Sequence, residues 1–485
     1  MSREFLRLEN VMVQTADLRQ LSPLSFTVNR GEIWSITGSS GSGKTLIARA
    51  IAGKQAYHGQ MHFYFPPKRN NRSTIHLVEQ QHHFKSLNNV SNLYYQQRFN
   101  SQDADQTRTV REELKQVSGE VLDSGHPTLA LLNAAELLDE PLIQLSNGEN
   151  KRIQLVSALL ADPELIVMDN PFVGLDADGR KILHSLIEKI SNTGVQVILI
   201  TTNDEIAEYI THILWLENGQ IAYVGPRTGF SHPYDYKKAV KAINPGKFDQ
   251  LPQTIWPDFD IAVRMINVHV SYGEKKILDE INWEVQKGEH WSLSGPNGAG
   301  KSTLLSLISA DHPQAYANEI YLFDRRRGSG ESIWDIKKNI GFVSPELHLY
   351  FDAGFSCFDV VASGLFDTIG LFRKLSSAEQ SRVLYWIDLF NLEQIQTKPF
   401  FRLAVSEQKE ALLARALIKN PPMLILDEPC QGLDEWQSQY FCQLVDLYCR
   451  RFQTTLIYVS HYAHQVPKCV DHFLSLRHGK TDHAG

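Results

Sequence analysis

Residues Leu424 to Asp434 read LILDEPCQGLD, and residues Leu165 to Asp176 read LIVMDNPFVGLD. In both, a short apolar run ends on an Asp and a Gly-Leu-Asp turn follows. An apolar run of this length, with no alternation, reads as a strand buried on both faces, as in parallel sheets. Such a strand sets Asp427 at its carboxyl end, where open α/β sheets place their ligands. The two stretches differ in one position of chemical weight: Glu428 follows Asp427, whereas Asn170 follows Asp169. A carboxylate can orient a water and accept its proton; an amide can only orient it.

The repetition extends outward from these strands. GSSGSGKT (Gly38 to Thr45) recurs as GPNGAGKS (Gly295 to Ser302), and GEIWSITG at Gly31 recurs as GEHWSLSG at Gly288. Two domains on one plan are expected, over residues 1–225 and 259–485. A linker over 226–258 carries Pro226, Pro233, Pro245, Pro252 and Pro257. Each copy opens on alternating residues that read as strands, Leu6 to Val13 and Val263 to Val270. A strand, a Gly-rich loop and a helix follow (Thr45 to Ala52; Ser302 to Ser309), and then a mostly helical section (Phe84 to Glu140; Glu346 to Lys398). Strand–helix–strand units close each copy, with last strands that include Val197 to Thr201 and Thr455 to Ser460. This alternation predicts an α/β fold with a mainly parallel sheet in each copy.

The bulk numbers narrow the function classes. A length of 485 residues exceeds what one core usually holds. The net charge of −7 gives no basic footprint for nucleic acid. No apolar stretch is long enough to span a bilayer, and the opening MSREFLRLENVMV lacks the apolar core of a signal peptide, so secretion is not expected. The five cysteines (Cys357, Cys430, Cys442, Cys449, Cys469) all fall in the second half, with no C-x-x-C pair. Small, reduced, buried thiols are the expectation.

The G-x-x-x-x-G-K-[ST] loops carry the most specific chemistry. Glycines let successive backbone N–H groups turn inward onto phosphate oxygens, the Lys reaches the terminal phosphates, and the hydroxyl coordinates magnesium. The residues assigned to ATP are therefore Gly38, Ser39, Ser40, Gly41, Ser42, Gly43, Lys44 and Thr45 in the first copy. In the second they are Gly295, Pro296, Asn297, Gly298, Ala299, Gly300, Lys301, Ser302 and Thr303. Thr45 and Ser302 are the expected Mg2+ ligands, with Asp169 and Asp427 beside them.

Leu145 to Glu149 reads LSNGE and is followed, after Asn150, by the helix-like run KRIQLVSALL. In this order, with the phosphate loop, the D-E-P strand and the G-L-D turn, the chain resembles the ABC ATPase family, whose signature is L-S-G-G-Q. The resemblance covers nearly the whole chain and implies two tandem P-loop NTPase domains, each with an antiparallel β subdomain and a helical subdomain. It further implies that the two domains pair head to tail. Each ATP then sits between one domain's loop and the other's signature, so that Ser146 and Gly148 touch the γ-phosphate. In family terms Glu428 polarises the attacking water, His461 contacts the γ-phosphate, and Gln80 (in IHLVEQ) completes the magnesium shell. Tyr272 matches the aromatic that stacks on adenine; packing in the core is its other reading. Asp311 to Phe351 is similar to tandem ATPases of molybdenum transport, which implies molybdate or a related anion as solute.

The same resemblance predicts two unequal sites. One draws Lys301, Ser302, Asp427, Glu428 and His461 from the second copy and Ser146 and Gly148 from the first. The other has Lys44, Thr45 and Asp169, but Asn170 replaces the Glu, Asn203 aligns with His461, and Thr15 aligns with Tyr272. Its opposing signature, LAVSE (Leu403 to Glu407), has Ala404 for the Ser and Ser406 for the second Gly. The losses fall together, which predicts a retained but nearly inactive nucleotide site. Pro345, with Glu346 next, stands where the second copy should carry its Gln. Arg325 to Arg327 read as a solvated loop or as a contact for an anionic partner. His82 and His83 show no ligand spacing, and His461 with His464 reads as a switch histidine and neighbour rather than a metal pair.

The expectation is thus an ATP-hydrolysing subunit of a transporter, docked on the inner face of the cell membrane through its helical arms to a permease on a separate chain. A soluble ABC-type ATPase switch acting on a macromolecular partner, without a permease, is the competing reading. A nucleotide-binding regulator with negligible turnover is a third, should Pro345 disable the second site.

Overall fold

Each apolar run folds as an inner strand of a six-stranded sheet. The structure is a computed structural model that describes residues 3–14, 22–39, 41–65, 74–79, 108–142, 145–231, 245–251, 256, 258–273, 275–309, 311–345, 347–351 and 354–484. The chain divides into two units, Met1–Asp235 and Tyr236–Gly485.

In the first unit the strands are β1 (Glu4–Val13), β2 (Leu24–Asn29), β3 (Ile33–Gly38), β4 (Tyr57–Phe63), β5 (Ile75–Val78), β6 (Leu165–Asp169), β7 (Gln196–Ile200), β8 (His212–Glu217) and β9 (Gln220–Pro226). They form an antiparallel sheet of order β2-β1-β4 and a sheet of order β5-β6-β7-β3-β8-β9, parallel except for the β8–β9 hairpin. In the second unit the strands are β10 (Ile261–Tyr272), β11 (Lys275–Gln286), β12 (His290–Ser294), β13 (Glu319–Leu322), β14 (Arg325–Arg326), β15 (Ile340–Val343), β16 (Met423–Asp427), β17 (Thr455–Val459), β18 (His472–Arg477) and β19 (Lys480–Ala484). Their sheets run β11-β10-β13-β14 and β15-β16-β17-β12-β18-β19. The plan is the same in both units.

The absence of alternation in LILD and LIVMD has a direct cause. Leu424 and Leu426 enter one apolar core, and Met423 and Ile425 enter another on the opposite face of the sheet. Ile166 and Met168 likewise separate from Leu165 and Val167 in the first unit. One core of each unit lies under the helical segments, such as Cys357–Ser363, Ser377–Leu389 and Val405–Leu417. The other lies under the antiparallel sheet and the helix after the phosphate loop, Lys44–Ile51 or Lys301–Ile308. Cutting any of these buried leucines or isoleucines to Ala removes about 2–5 kcal/mol.

Helix starts are marked locally. Ser146, Ser332, Ser356 and Ser376 each cap a helix, and the acidic residue three positions on accepts a hydrogen bond from the capping residue's backbone N–H. At Ala404 only half of this device survives: Glu407 accepts from the Ala404 N–H at 2.9 Å, and no hydroxyl answers it. All five cysteines are buried free thiols. Arg325 and Arg326 are exposed, whereas Arg327 is buried, 3.1 Å from Glu331. No described helix is long and apolar enough to cross a membrane.

Ala404→Ser should supply the missing cap and stabilise the second unit by about 1 kcal/mol. It should be read as a higher urea midpoint for that unit's unfolding.

Candidate functional site

Three neighbouring strand ends build each site. In the second unit β16, β17 and β12 are adjacent and parallel, so Asp427, the segment after Val459 and the phosphate loop after Ser294 emerge side by side. In the first unit β6, β7 and β3 do the same for Asp169, the segment after Ile200 and the loop after Gly38.

The loops take the shape their glycines permit. Gly38, Gly41 and Gly43, and likewise Gly295, Gly298 and Gly300, all have positive φ. At Gly300 a Cβ would also fall 2.6 Å from Leu278 Cδ2 and 2.9 Å from the Ile277 carbonyl oxygen. Lys44 Nζ donates to the carbonyls of Gly38 (2.8 Å) and Ser39 (2.7 Å), and Lys301 Nζ to those of Gly295 (2.6 Å) and Pro296 (3.0 Å). Both ammonium groups are thereby held over the loop, within reach of an anion bound in it. Ser42 Oγ is buried with no partner among the described residues. Thr45 Oγ1 donates to Asp169 Oδ1 at 3.2 Å, and this oxygen-only donor set suits a hard divalent cation. Ser302 is exposed at the equivalent point, Thr303 and Ala299 are buried, and Asp427 is 7% exposed. Ser40 and Gln80 lie outside the described residues, as do Thr15, His82, His83 and Glu346.

The backbone treats Glu428 and Asn170 alike. Each adopts the left-handed conformation, with φ of 44° and 45°. Each donates its N–H to the neighbouring strand, Glu428 to Val459 O at 3.0 Å and Asn170 to Ile200 O at 2.9 Å. Asn enters this region readily, whereas a Glu there holds strain of about 1–2 kcal/mol. The side chains then diverge. Asn170 Nδ2 donates to Asp169 Oδ1 at 3.0 Å. Glu428 Oε1 lies 2.9 Å from His461 Nε2, and Gln431 Nε2 donates to its Oε2 at 3.1 Å. The approach is short, but the His461 ring is not aligned for a directed hydrogen bond to the carboxylate. Burial alone would raise the Glu428 carboxyl, but His461 and the Lys301 and Lys409 ammonium groups outweigh it and hold the group below the usual range. Asp169 moves the opposite way: burial raises it against Thr45, Arg49, Lys44 and Lys151.

Strand pairing corrects one equivalence. Val459 and Ile200 occupy the same register, opposite Asp427 and Asp169, and opposite Leu293 and Ile36. His461 is two residues past Val459, so its counterpart is Thr202 rather than Asn203. The helix before this strand is longer in the second unit (Glu435–Phe452 against Ala177–Asn192), and constant spacing misses that. Asn203 instead accepts from Thr37 Oγ1 at 3.3 Å. Neither residue supplies an imidazole. Pro345 stands two residues past β15, as Gln80 stands two past β5.

Tyr272 closes β10, half-buried against the core, with its hydroxyl 2.6 Å from His312 Nε2. Gln314 N–H donates to His312 Nδ1, so a neutral ring carries its proton on Nε2 and donates to the Tyr272 oxygen. Burial keeps both neutral, lowering His312 and raising Tyr272 to about 12. Ser146 accepts from Glu149 N at 3.3 Å as the cap of Asn147–Leu160, and Gly148 lies in that helix's first turn. A Cβ on Gly148 would meet only Leu175 Cδ2, at 3.8 Å, so local packing does not demand glycine there.

Gln431, Lys409 and Lys151 were not singled out from the sequence. Gln431 sits three residues past Glu428 in a turn, a spacing that a search for partners of the carboxylate would have caught. Lys151 and Lys409, each five residues past its helix cap, are both buried. Lys151 donates to Glu79 O at 2.9 Å, and burial lowers it to about 8. Only the fold brings these lysines near Asp169 and Glu428.

The protein family described as ABC transporter matches residues 21–173 and 278–431. With this fold and these strand ends, the chain belongs to that family as a tandem ATP-binding protein, an ABC-type ATPase. ABC transporter ATP-binding protein ModF of Escherichia coli (strain K12) is 34% identical over 470 residues, which span 95% of this chain and 94% of that one. An uncharacterised ABC transporter ATP-binding protein of Schizosaccharomyces pombe is 30% identical over 98% of both chains. Among solved structures, RNase-L Inhibitor shares the fold at a TM-score of 0.55 and 17% identity, across 98% of this chain and 90% of that one.

Gly300→Ala, which adds both a clash and backbone strain, should weaken one of two nucleotide-binding transitions at least tenfold. Gly298→Ala, with open space around its Cβ, should weaken it less. Titration with a fluorescent ATP analogue reads both.

Proposed function

We propose that this chain is the ATP-hydrolysing subunit of a transporter, with one working and one quiet nucleotide site. The observation that carries the reading is the contrast at two equivalent strand ends. Glu428, kept ionised beside His461 and Lys301, is equipped to orient and deprotonate a water. Asn170, with its amide turned onto Asp169, is not. Removal of a general base commonly lowers a rate by about 10²–10⁴-fold.

In this reading the two units pair head to tail. Lys301 and the Gly295–Thr303 loop grip the phosphates, Tyr272 meets the adenine, and Ser146 and Gly148 close over the γ-phosphate from the first unit. A magnesium ion carried with ATP would be held by Ser302 and Asp427, or by Thr45, Asp169 and Gln80 in the first unit, and would neutralise phosphate charge. Ser146 keeps its own hydroxyl hydrogen while accepting from Glu149, so it can still donate outward. The quiet site would retain nucleotide through Lys44 and keep the pair together. The chain would act as a peripheral protein on the membrane's inner face, energising a separate permease. Molybdate or a related anion is the solute implied by the resemblance of Asp311–Phe351.

Two enzymatic outcomes are expected. Glu428→Gln should abolish most ATPase activity and trap ATP, whereas Asn170→Ala should change turnover little; equal losses would sink the asymmetry. Lys44→Ala should remove one binding transition and leave measurable hydrolysis. Co-purification from membranes should recover an integral-membrane partner. Recovery of only a soluble macromolecule would favour an ATP-driven switch instead.

A further inference from the structure

A second cluster of reactive side chains lies at the opposite end of the same sheet. His290 opens β12, whose other end leads into the phosphate loop. Cys449 is in the last turn of the helix Glu435–Phe452, and Cys469 precedes β18 by three residues. A ring nitrogen of His290 and the two sulfurs lie within 4.8 Å of one another. Cys449 is fully buried and Cys469 is 8% exposed.

The hydrogen bonds of His290 define its tautomer. Nδ1 is 3.1 Å from the carbonyl oxygen of Cys469, which can only accept, so Nδ1 carries the proton. In the neutral ring Nε2 is then a bare lone pair, and it is buried with no hydrogen-bond partner among the described residues. A ring fixed by Nδ1–H to a carbonyl, with Nε2 left open, is the usual arrangement of a metal-binding histidine. Asp446 fixes the third segment, accepting from the backbone N–H of Cys469 at 2.7 Å and of Lys468 at 3.1 Å. The first unit has no counterpart: Ile33 occupies the register of His290, since Thr211 N bonds Ile33 O as Asp471 N bonds His290 O.

We propose that His290, Cys449 and Cys469 form a binding site for a thiophilic d10 cation, Zn2+ or Cu+. Two thiolates and one imidazole are a soft set that selects such ions over Mg2+. On binding, each thiol releases its proton to solvent and forms one metal–sulfur bond, with no change of oxidation state. Metal–ligand bonds of about 2.0–2.3 Å require the donors to close to about 3.5–3.8 Å, a shift of about an ångström. The cation would tie a strand start, a helix end and the loop before β18 together. It would brace the second unit without touching the nucleotide loop.

The test uses the full untagged chain, reduced, loaded with Zn2+ or Cu+ and dialysed against a weak chelator. Elemental analysis should find about one cation per chain. His290→Ile, which copies the first unit, and Cys449→Ser should each weaken retention at least tenfold while fluorescent-nucleotide binding persists. Substitution with Co2+ should give a thiolate-to-cobalt charge-transfer band that the Cys449→Ser/Cys469→Ser double variant lacks. Should the variants fail to fold, the wild-type spectrum decides. No cobalt–thiolate band, or no more metal in the wild type than in the double variant, overturns the proposal.

Discussion

A strand buried on both faces can put a charge only where it leaves the sheet. From Met423 to Leu426 every side chain enters one of two apolar cores, so Asp427 at the strand's end is the first position where a carboxylate can meet a ligand. The same constraint acts at Asp169. Because β16, β17 and β12 are adjacent and parallel, their ends also bring Glu428, His461 and the phosphate loop together. The chemistry is gathered by sheet order, not by closeness in sequence.

The turn after each acidic residue holds the two copies to the same backbone and lets their chemistry differ. A cross-strand hydrogen bond pins the residue after the Asp in the left-handed region. Asn fits that conformation with little strain, whereas Glu is held there against its preference. A strained carboxylate beside an imidazole and two buried ammonium groups has the character of a functional site. Its counterpart has relaxed to an amide turned on its neighbour.

The signature helices repeat this pattern of retained frame and altered chemistry. Ser146 and Glu149 cap one helix reciprocally, so Ser146, expected to meet a phosphate, also fixes the helix that presents it. At Ala404 the frame survives through Glu407 alone. The His290–Cys449–Cys469 cluster is the reverse case, a feature added to one copy at the end of the sheet away from the nucleotide loop.

Much of this was legible in the sequence, because its signals are local. The glycine loops dictate their own backbone, two-sided burial writes an unbroken apolar run, and a shared interval exposes the repeat. Those features determined the α/β class, the two-fold plan and the Glu428/Asn170 contrast. What the sequence did not resolve depended on pairing between distant segments. The counterpart of His461 proved to be Thr202, because strand register follows hydrogen bonds while residue counting is misled by a longer helix. Lys409 and Lys151 acquired their meaning only when folding brought their charges near Glu428 and Asp169. Cys449 and Cys469, separated in the chain by a helix end, the strand β17 and the segment after it, became neighbours of His290 only through the packing of that helix against the sheet.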